Sequence, residues 1–236
     1  MLPSRIPSKA NIHGFKELGV KWIISVSACG SLAEQLKPGH FAIPNGLFDR
    51  TTRGATTFFD AEGAVAHISL ADPFCLTLNK VRMNARCYKI LYACFSNHSY
   101  PLHSTLLLSS VHALPQVLHQ ACESTGKSGI HLGTKAKPLN LVSINGPRFS
   151  TRTESNIYRQ WGLHVINMTT VPEAQLACEA EIAYSVLNHV TDYDCWHESE
   201  DDVTASNVFA QLMQNIEGGE GEGEGALGLG RGLWLG

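Results

Sequence analysis

No apolar run in this chain is long enough to cross a bilayer, and no excess of charge of either sign is large enough to name a partner. The longest apolar stretch in the middle, residues 102–114, lies between Pro101 and Pro115 and is broken by His103 and His112, well short of the ~20 residues that a helical span needs. Charged residues are 17% of the 236 and the net charge is −3. Neither nucleic acid nor an anionic membrane is therefore an expected partner, and any anion site has to be assembled locally from backbone amides, hydroxyls or single arginines. A charged-then-apolar secretory leader is lacking, so the expected compartment is the cytoplasm, with the nucleus as a second one. Seven cysteines, at positions 29, 75, 87, 94, 122, 178 and 195, are odd in number and lack C-x-x-C spacing. That argues against a disulfide framework and a zinc knuckle, and Cys29 and Cys195 read as small buried fillers. The histidines at 98, 103, 112 and 119 with Cys87 and Cys94 fit no standard zinc spacing, so no metal is expected.

What the chain does have is a soluble globular composition, 44% hydrophobic, and an alternation of two periodicities. Residues 10–18 have helical spacing with Ile12, Phe15 and Leu18 on one side and Gly19 as the stop. Residues 21–27 read as a buried strand running into Ala28-Cys29-Gly30-Ser31, where small side chains permit close approach of a ligand to the backbone. Residues 41–48 and 64–70 read as strands, and a helix is expected from about Ala71-Asp72-Pro73. Residues 139–144 form a strand leading into Asn145-Gly146-Pro147-Arg148-Phe149. Ser150-Thr151-Arg152-Thr153-Glu154 has capping-box spacing ahead of a helix at about 153–161. A short strand at 164–167, a helix from Val171-Pro172-Glu173 to about 181, a strand at 182–190 and a last amphipathic helix at about 202–216 complete the pattern. Strands alternating with helices define an α/β domain with a mixed, mainly parallel central sheet flanked by helices. The domain spans 1–216, interrupted by an irregular insertion at about 82–116. The Gly/Glu tail at 217–236 lacks core-forming residues and reads as disordered.

The most informative run is Thr191-Asp192-Tyr193-Asp194-Cys195-Trp196. It follows the apolar strand at 182–190, and open α/β sheets place ligand crevices at strand ends. Residues two apart on an extended backbone project to one side, so Asp192 and Asp194 converge on one target. Paired carboxylates suit adenine, whose N7 needs a proton while its N6 amine offers hydrogens. A solvated turn in which Asp192 caps a helix is the plainer reading of the same run.

Ser27 to Ser31, Gly146 to Ser150, Asn167-Met168-Thr169-Thr170-Val171-Pro172-Glu173 and the 191–196 run occur in one order. With Ala10-Asn11-Ile12, Asp49-Arg50-Thr51-Thr52 and Asp72-Pro73-Phe74-Cys75 they resemble the trimeric purine nucleoside phosphorylase superfamily, in its methylthioadenosine phosphorylase branch. The similarity covers about residues 2–81 and 117–213. It implies an enzyme, a pentosyltransferase in purine and methionine salvage. Inorganic phosphate as co-substrate attacks C1′ of S-methyl-5′-thioadenosine, with no other cofactor, in a homotrimer. By the same resemblance Asp192 is the N7 partner and Asp194 holds the amino group as the catalytic pair, with Thr191 orienting them. Phe149 stacks on the purine, and Asn167 and Met168 lie at the nucleoside. Ser27, Ala28 and Thr169 meet phosphate, and Ala205, Val208 and Phe209 line the methylthio pocket. Each has a plainer alternative: Met168 as core, Phe149 as a packed loop anchor, Ser27 as a turn hydroxyl. Arg148 and Arg152 read as structural ion-pair donors.

Relatives acting on 6-oxopurines place Asn at the position of Asp192 and Glu at that of Ser150, so an aminopurine is expected here. Relatives also have a Gly-rich phosphate loop and an Arg-His pair upstream of the part matched here. The expectation is therefore a fold missing its first strands, with a non-catalytic nucleoside-binding or hetero-oligomerising role as the alternative to catalysis. Asn145 stands where relatives often have Glu.

Overall fold

The computed structural model describes residues 2–52, 56–60, 63–80, 105–107 and 129–198, together with 206, 208, 210 and 211. Helix α1 (Ser8–Glu17) buries Ile12, packs Phe15 against the core and stops before Gly19, whose φ of +74° is a left-handed conformation that glycine adopts without strain. Leu18 is exposed instead of facing the core, because the helix ends one residue before it. Strands β1 (Trp22–Ser31), β2 (Phe41–Ile43) and β3 (Gly46–Asp49) follow, then the short α2 (Leu76–Lys80) and strands β4 (Thr105–Leu107), β5 (Ile130–Leu132) and β6 (Asn140–Ser143). The chain continues through α3 (Arg152–Gln160), β7 (Val165–Asn167), α4 (Thr170–Glu179) and β8 (Ala183–Tyr193).

The sheet runs β3-β6-β7-β1-β8-β2-β5, with β4 also on β1. Four pairings are parallel (β1/β8, β2/β5, β3/β6 and β6/β7) and three antiparallel (β1/β4, β1/β7 and β2/β8), so the sheet is mixed and mainly parallel. Only Pro44 and Asn45 separate β2 from β3, a gap that an extended chain bridges in roughly 10 Å. β3, at one end of the strand order, is therefore close to β2, the strand next to the other end. β8 is buried along almost its whole length, as expected for a strand covered on both faces. Alternation along β6 and β7 divides the core: Leu141 and Val165 join the cluster with Ile12, Ile23, Leu176 and Val186. Val142 and Ile166 point the other way, to Leu32, Tyr158 and Leu163.

Several expected elements differ. The 41–48 strand is two strands, because Pro44 has no N–H for a ladder and Asn45 turns its backbone and side chain to Leu139 (3.0 and 2.8 Å). Residues 64–70 form no strand: Val65 is 79% exposed, and β-propensity without a pairing edge does not make a strand. Helix α2 starts at Leu76, later than expected. Residues 28–31 are the end of β1, which extends past the expected 21–27, and 191–193 belong to β8, because the β1/β8 ladder extends to Ser31↔Tyr193. Within the 82–116 insertion, 105–107 pair with β1 as β4. The rest of that insertion, the tail at 217–236 and the suggested His/Cys cluster at 87–119 lie outside the described residues.

Candidate functional site

β1 and β8 lie side by side in parallel, with one irregularity. Cys29 opposes Val190 and Gly30 opposes Asp192, so Thr191 is an extra residue in the ladder. Successive strand residues ordinarily face opposite sides, and a bulge suspends that rule. The Thr191 Oγ1 consequently sits 2.6 Å from Asp192 Oδ1 and 3.2 Å from the Cys29 carbonyl oxygen. The hydroxyl has one proton for two oxygens. With Asp192 ionised it donates to the carboxylate; with Asp192 protonated the carboxyl donates to Thr191, which is then free to donate to Cys29.

The opposite edge of β1 is shared. β4 pairs with Ile23 to Ser25 and β7 with Gly30 and Ser31. Between them residues 26–29 have no strand partner on that edge among the described residues. A cavity of about 390 Å³ opens at this split, inside the ~300–1,000 Å³ range of small-molecule sites. It is walled by Ser27, Ala28, Phe149, Asn167, Met168, Thr169, Thr191, Asp192, Asp194 and Val208. Every described residue that the sequence singled out for the site therefore borders one cavity; Ala205 and Phe209 lie outside the described residues. Gly30 makes the approach possible. A Cβ there would lie 3.1 Å from Asp192 Oδ2 and 3.0 Å from Ile166 Cγ2.

Asp194 is 3% exposed. Burial pushes its carboxyl above the ordinary aspartate range, and hydrogen bonding from Ser155, the Cys195 backbone and Ser150 opposes that rise. The run around it is pinned to β1: Asp194 N–H and Trp196 Nε1 both donate to the Ser31 carbonyl (2.9 and 2.7 Å), and Tyr193 Oη donates to that of Glu34 (3.2 Å). The Arg159 guanidinium stacks 3.4 Å over the Trp196 ring. Burial, then the Asp194 charge, pushes the Cys195 thiol up to about 11, which removes it as a nucleophile at neutral pH.

Phe149 remains 37% exposed, so its ring is presented to the cavity mouth instead of being spent on the core. Its loop is braced by Arg148, which grips Glu154 with two 2.8 Å bonds and, with the Thr151 backbone, holds that acid at about 2. Thr151 and Glu154 form the expected capping box of α3. At the other end, Thr169 Oγ1 lies 3.4 Å from Ser27 Oγ and makes no capping bond although Thr169 is the N-cap of α4. Asn167 borders the cavity, but its amide donates to Thr170 Oγ1 (2.8 Å) and Asn188 Oδ1 (3.1 Å), which fixes it as a support beneath those hydroxyls. Arg152 Nη1 donates to the Cys195 carbonyl at 2.6 Å.

The sequence reading missed Pro3, Ile6, Val26, Ile144 and Ile166, which complete the wall. Val26 and Ile166 are ordinary strand residues, Ile144 directly follows β6, and Pro3 lies in a one-turn 3-10 segment with no periodicity to notice. Gly30 carried a usable signal, a lone glycine within a strand pattern.

This chain belongs to the phosphorylase superfamily, whose family profile matches residues 1–217. Within that class it is 39% identical over 216 residues to the S-methyl-5′-thioadenosine phosphorylase of Geobacter sulfurreducens, covering 92% of this chain and 61% of that protein. To the enzyme of that name from Synechocystis sp. it is 42% identical over 215 residues, covering 91% and 54%. A methylthioadenosine phosphorylase from an antarctic soil metagenomic library superposes with a TM-score of 0.68 at 38% identity, over 92% of this chain and 62% of that one. The Schistosoma mansoni methylthioadenosine phosphorylase in complex with adenine also gives 0.68, at 31% identity, over 92% and 68%. The chain thus spans 54 to 61% of the length of those two curated relatives.

Proposed function

We propose that this chain takes part in phosphorolysis of S-methyl-5′-thioadenosine, giving adenine and 5-methylthioribose 1-phosphate. An oxygen of inorganic phosphate bonds to C1′ while the C1′–N9 bond breaks and its electron pair passes to the purine. Negative charge accumulates on the leaving base, and a proton from Asp192 to N7 relieves it; a positioned general acid contributes ~10²–10⁴-fold. Thr191 orients that carboxyl, as its 2.6 Å contact suggests. Asp194 accepts from the exocyclic amine, Phe149 covers the base, and Met168 follows the ribose. Ser27, Ala28 and Thr169 meet the phosphate, and Val208, with Ala205 and Phe209, takes the methylthio end.

The observation that carries this reading is the shared cavity. The Asp192 and Asp194 carboxyls border it with an exposed aromatic ring, and the paired hydroxyls of Ser27 and Thr169 border it as well. An adenine-bound relative with a TM-score of 0.68 supports the same base. With Asp194 as the acceptor at the six-position, an amine is favoured over a carbonyl. A homotrimer is the assembly we infer, to be checked by sedimentation. The cytoplasm, with the nucleus as a further compartment, suits a protein whose Cys29, Cys75, Cys178 and Cys195 are free thiols. The deciding assay follows adenine release from methylthioadenosine with and without phosphate, inosine competing. Phosphate-dependent release supports the proposal. Adenine binding without turnover would leave only a nucleoside-binding role, and preferential cleavage of inosine would overturn the aminopurine assignment.

A further inference from the structure

A second cavity, of about 320 Å³, opens where the chain leaving β3 meets the loop that leads into α3. Ile144 and Ser150 border both cavities, but the second includes none of the residues assigned above to base, ribose or phosphate. The two loops are tied together: Asn145 Nδ2 donates to Thr52 Oγ1 (2.8 Å), Thr52 N–H to Asn145 Oδ1 (3.0 Å) and Arg50 N–H to the Ser143 carbonyl (2.9 Å). Arg50 is thereby held at the wall of the cavity. Its guanidinium makes no hydrogen bond or ion pair among the described residues. The adjacent Asp49 is engaged elsewhere, by Thr51 N–H (2.8 Å) and Gln175 Nε2 (3.2 Å).

Tyr158 is the other unpartnered group. The residue is 4% exposed, with its ring among Val142, Ile144, Leu163 and Ile166. Its hydroxyl has no hydrogen bond among the described residues, yet it is not one of the polar atoms sealed from water. Tyr158 borders the second cavity and not the first, so the hydroxyl opens into the second. Burial, then the charge of Glu154, raises the phenol against the pull of Arg50 and Arg148, which keeps its proton available for donation. Arg148 and Glu154 compensate each other through two 2.8 Å bonds. Arg50 is left as the uncompensated charge on this wall.

We propose that this cavity is a subsite for the carboxylate of a small organic acid, gripped by the Arg50 fork and the Tyr158 hydroxyl, with Ile144 beside the acid's apolar part. A guanidinium offers five N–H donors in a planar fork that matches the two oxygens of a carboxylate, and those of Arg50 are unspent. A monoanion matches the single uncompensated positive charge. The second charge of a phosphate would meet Glu154, which borders the same cavity and stays ionised down to about pH 2. Nothing in this inference depends on the purine reading, since the two cavities have different polar groups.

The test adds acetate, butyrate or inorganic phosphate to the full chain at constant ionic strength. It follows the Arg50 Nε–H signal by nitrogen NMR, assigned with Arg50→Gln, and the Tyr158 Cζ signal by carbon NMR, assigned with Tyr158→Phe. Both signals should move along one saturable curve, with butyrate tighter than acetate because of Ile144. Arg50→Gln, read at Tyr158, is expected to weaken butyrate by roughly ten- to a hundredfold, the loss of a charge-assisted bond. Tyr158→Phe keeps the ring in its packing and, read at Arg50, should weaken it by roughly two- to tenfold. Lys135→Gln removes a positive charge outside the cavity and should leave the affinity unchanged. Shifts that do not saturate overturn the subsite, as do wild-type affinities in both cavity variants or an equal loss in Lys135→Gln. Tighter binding of phosphate than of butyrate at the Arg50 signal overturns the carboxylate assignment.

Discussion

Replacing His189 should flatten the acid side of the stability profile. The ring lies on β8, 4% exposed, edge-on to Phe41 at 4.4 Å between centroids. Burial alone drives its proton affinity down from 6.5 to about 4. The folded chain therefore keeps this imidazole neutral where the unfolded chain protonates it. The contribution is fully present above pH 6.5 and is lost as the pH falls from 6.5 to about 4; below that both states are charged and the loss stops. At ~1.4 kcal/mol per pH unit the interval amounts to about 3 kcal/mol, a large share of the ~5–15 kcal/mol that domains possess. Glu173 and Asp194, whose carboxyls burial raises, act with the opposite sign, since the folded state binds more protons than the unfolded one just above the ordinary carboxyl range. A wild-type profile alone mixes these terms. The difference between wild type and His189→Gln isolates the histidine, because the acids are common to both. Urea unfolding at half-unit steps from pH 3.5 to 7.5 should show the two curves diverging by about 3 kcal/mol between pH 4 and 6.5. Parallel curves across that window would refute the reasoning, whatever their vertical offset.

Asp192→Asn should lower the phosphorolysis rate by ~10²–10⁴ with little change in Tm, measured as adenine release; an unchanged rate removes Asp192 as the acid. Gly30→Ala places a methyl against Ile166 and Asp192, an overpacking that costs ~1–3 kcal/mol. It should weaken adenine binding along with stability, and a variant with wild-type affinity would show that the carboxyl tolerates displacement. Phe149→Ala should leave Tm nearly unchanged, since the ring is 37% exposed, while adenine binding weakens by about 1–3 kcal/mol, the usual worth of a base stacked on an aromatic side chain. Calorimetry decides between that and a mere loop anchor.

Local chemistry made much of this chain legible before any coordinates. The hydroxyl and acid of Thr151 and Glu154 announce their capping box because both partners lie within one turn. The 182–190 run announces β8 because a strand buried on both faces cannot alternate. The pairing of Asp192 with Asp194 follows from a period of two. Even so, the sequence alone put the acid pair beyond a strand end, split no strand at Pro44 and gave 64–70 a pairing that it lacks.

Those errors share a cause. A ladder's extent depends on a partner far away in sequence, and neither propensity nor periodicity contains the partner. The residue types, and hence the chemistry on offer (two carboxyls, an aromatic ring, hydroxyls), were determined by the sequence. The tertiary structure alone decided that Thr191 bulges so that its hydroxyl meets Asp192, and that β4 and β7 divide the edge of β1 and leave a cavity between them. It also sealed Ser155 and His189 from water. Burial and register are sums over contacts between distant segments, and the free energies that move a proton on Asp194 or His189 arise only when those segments have closed around it.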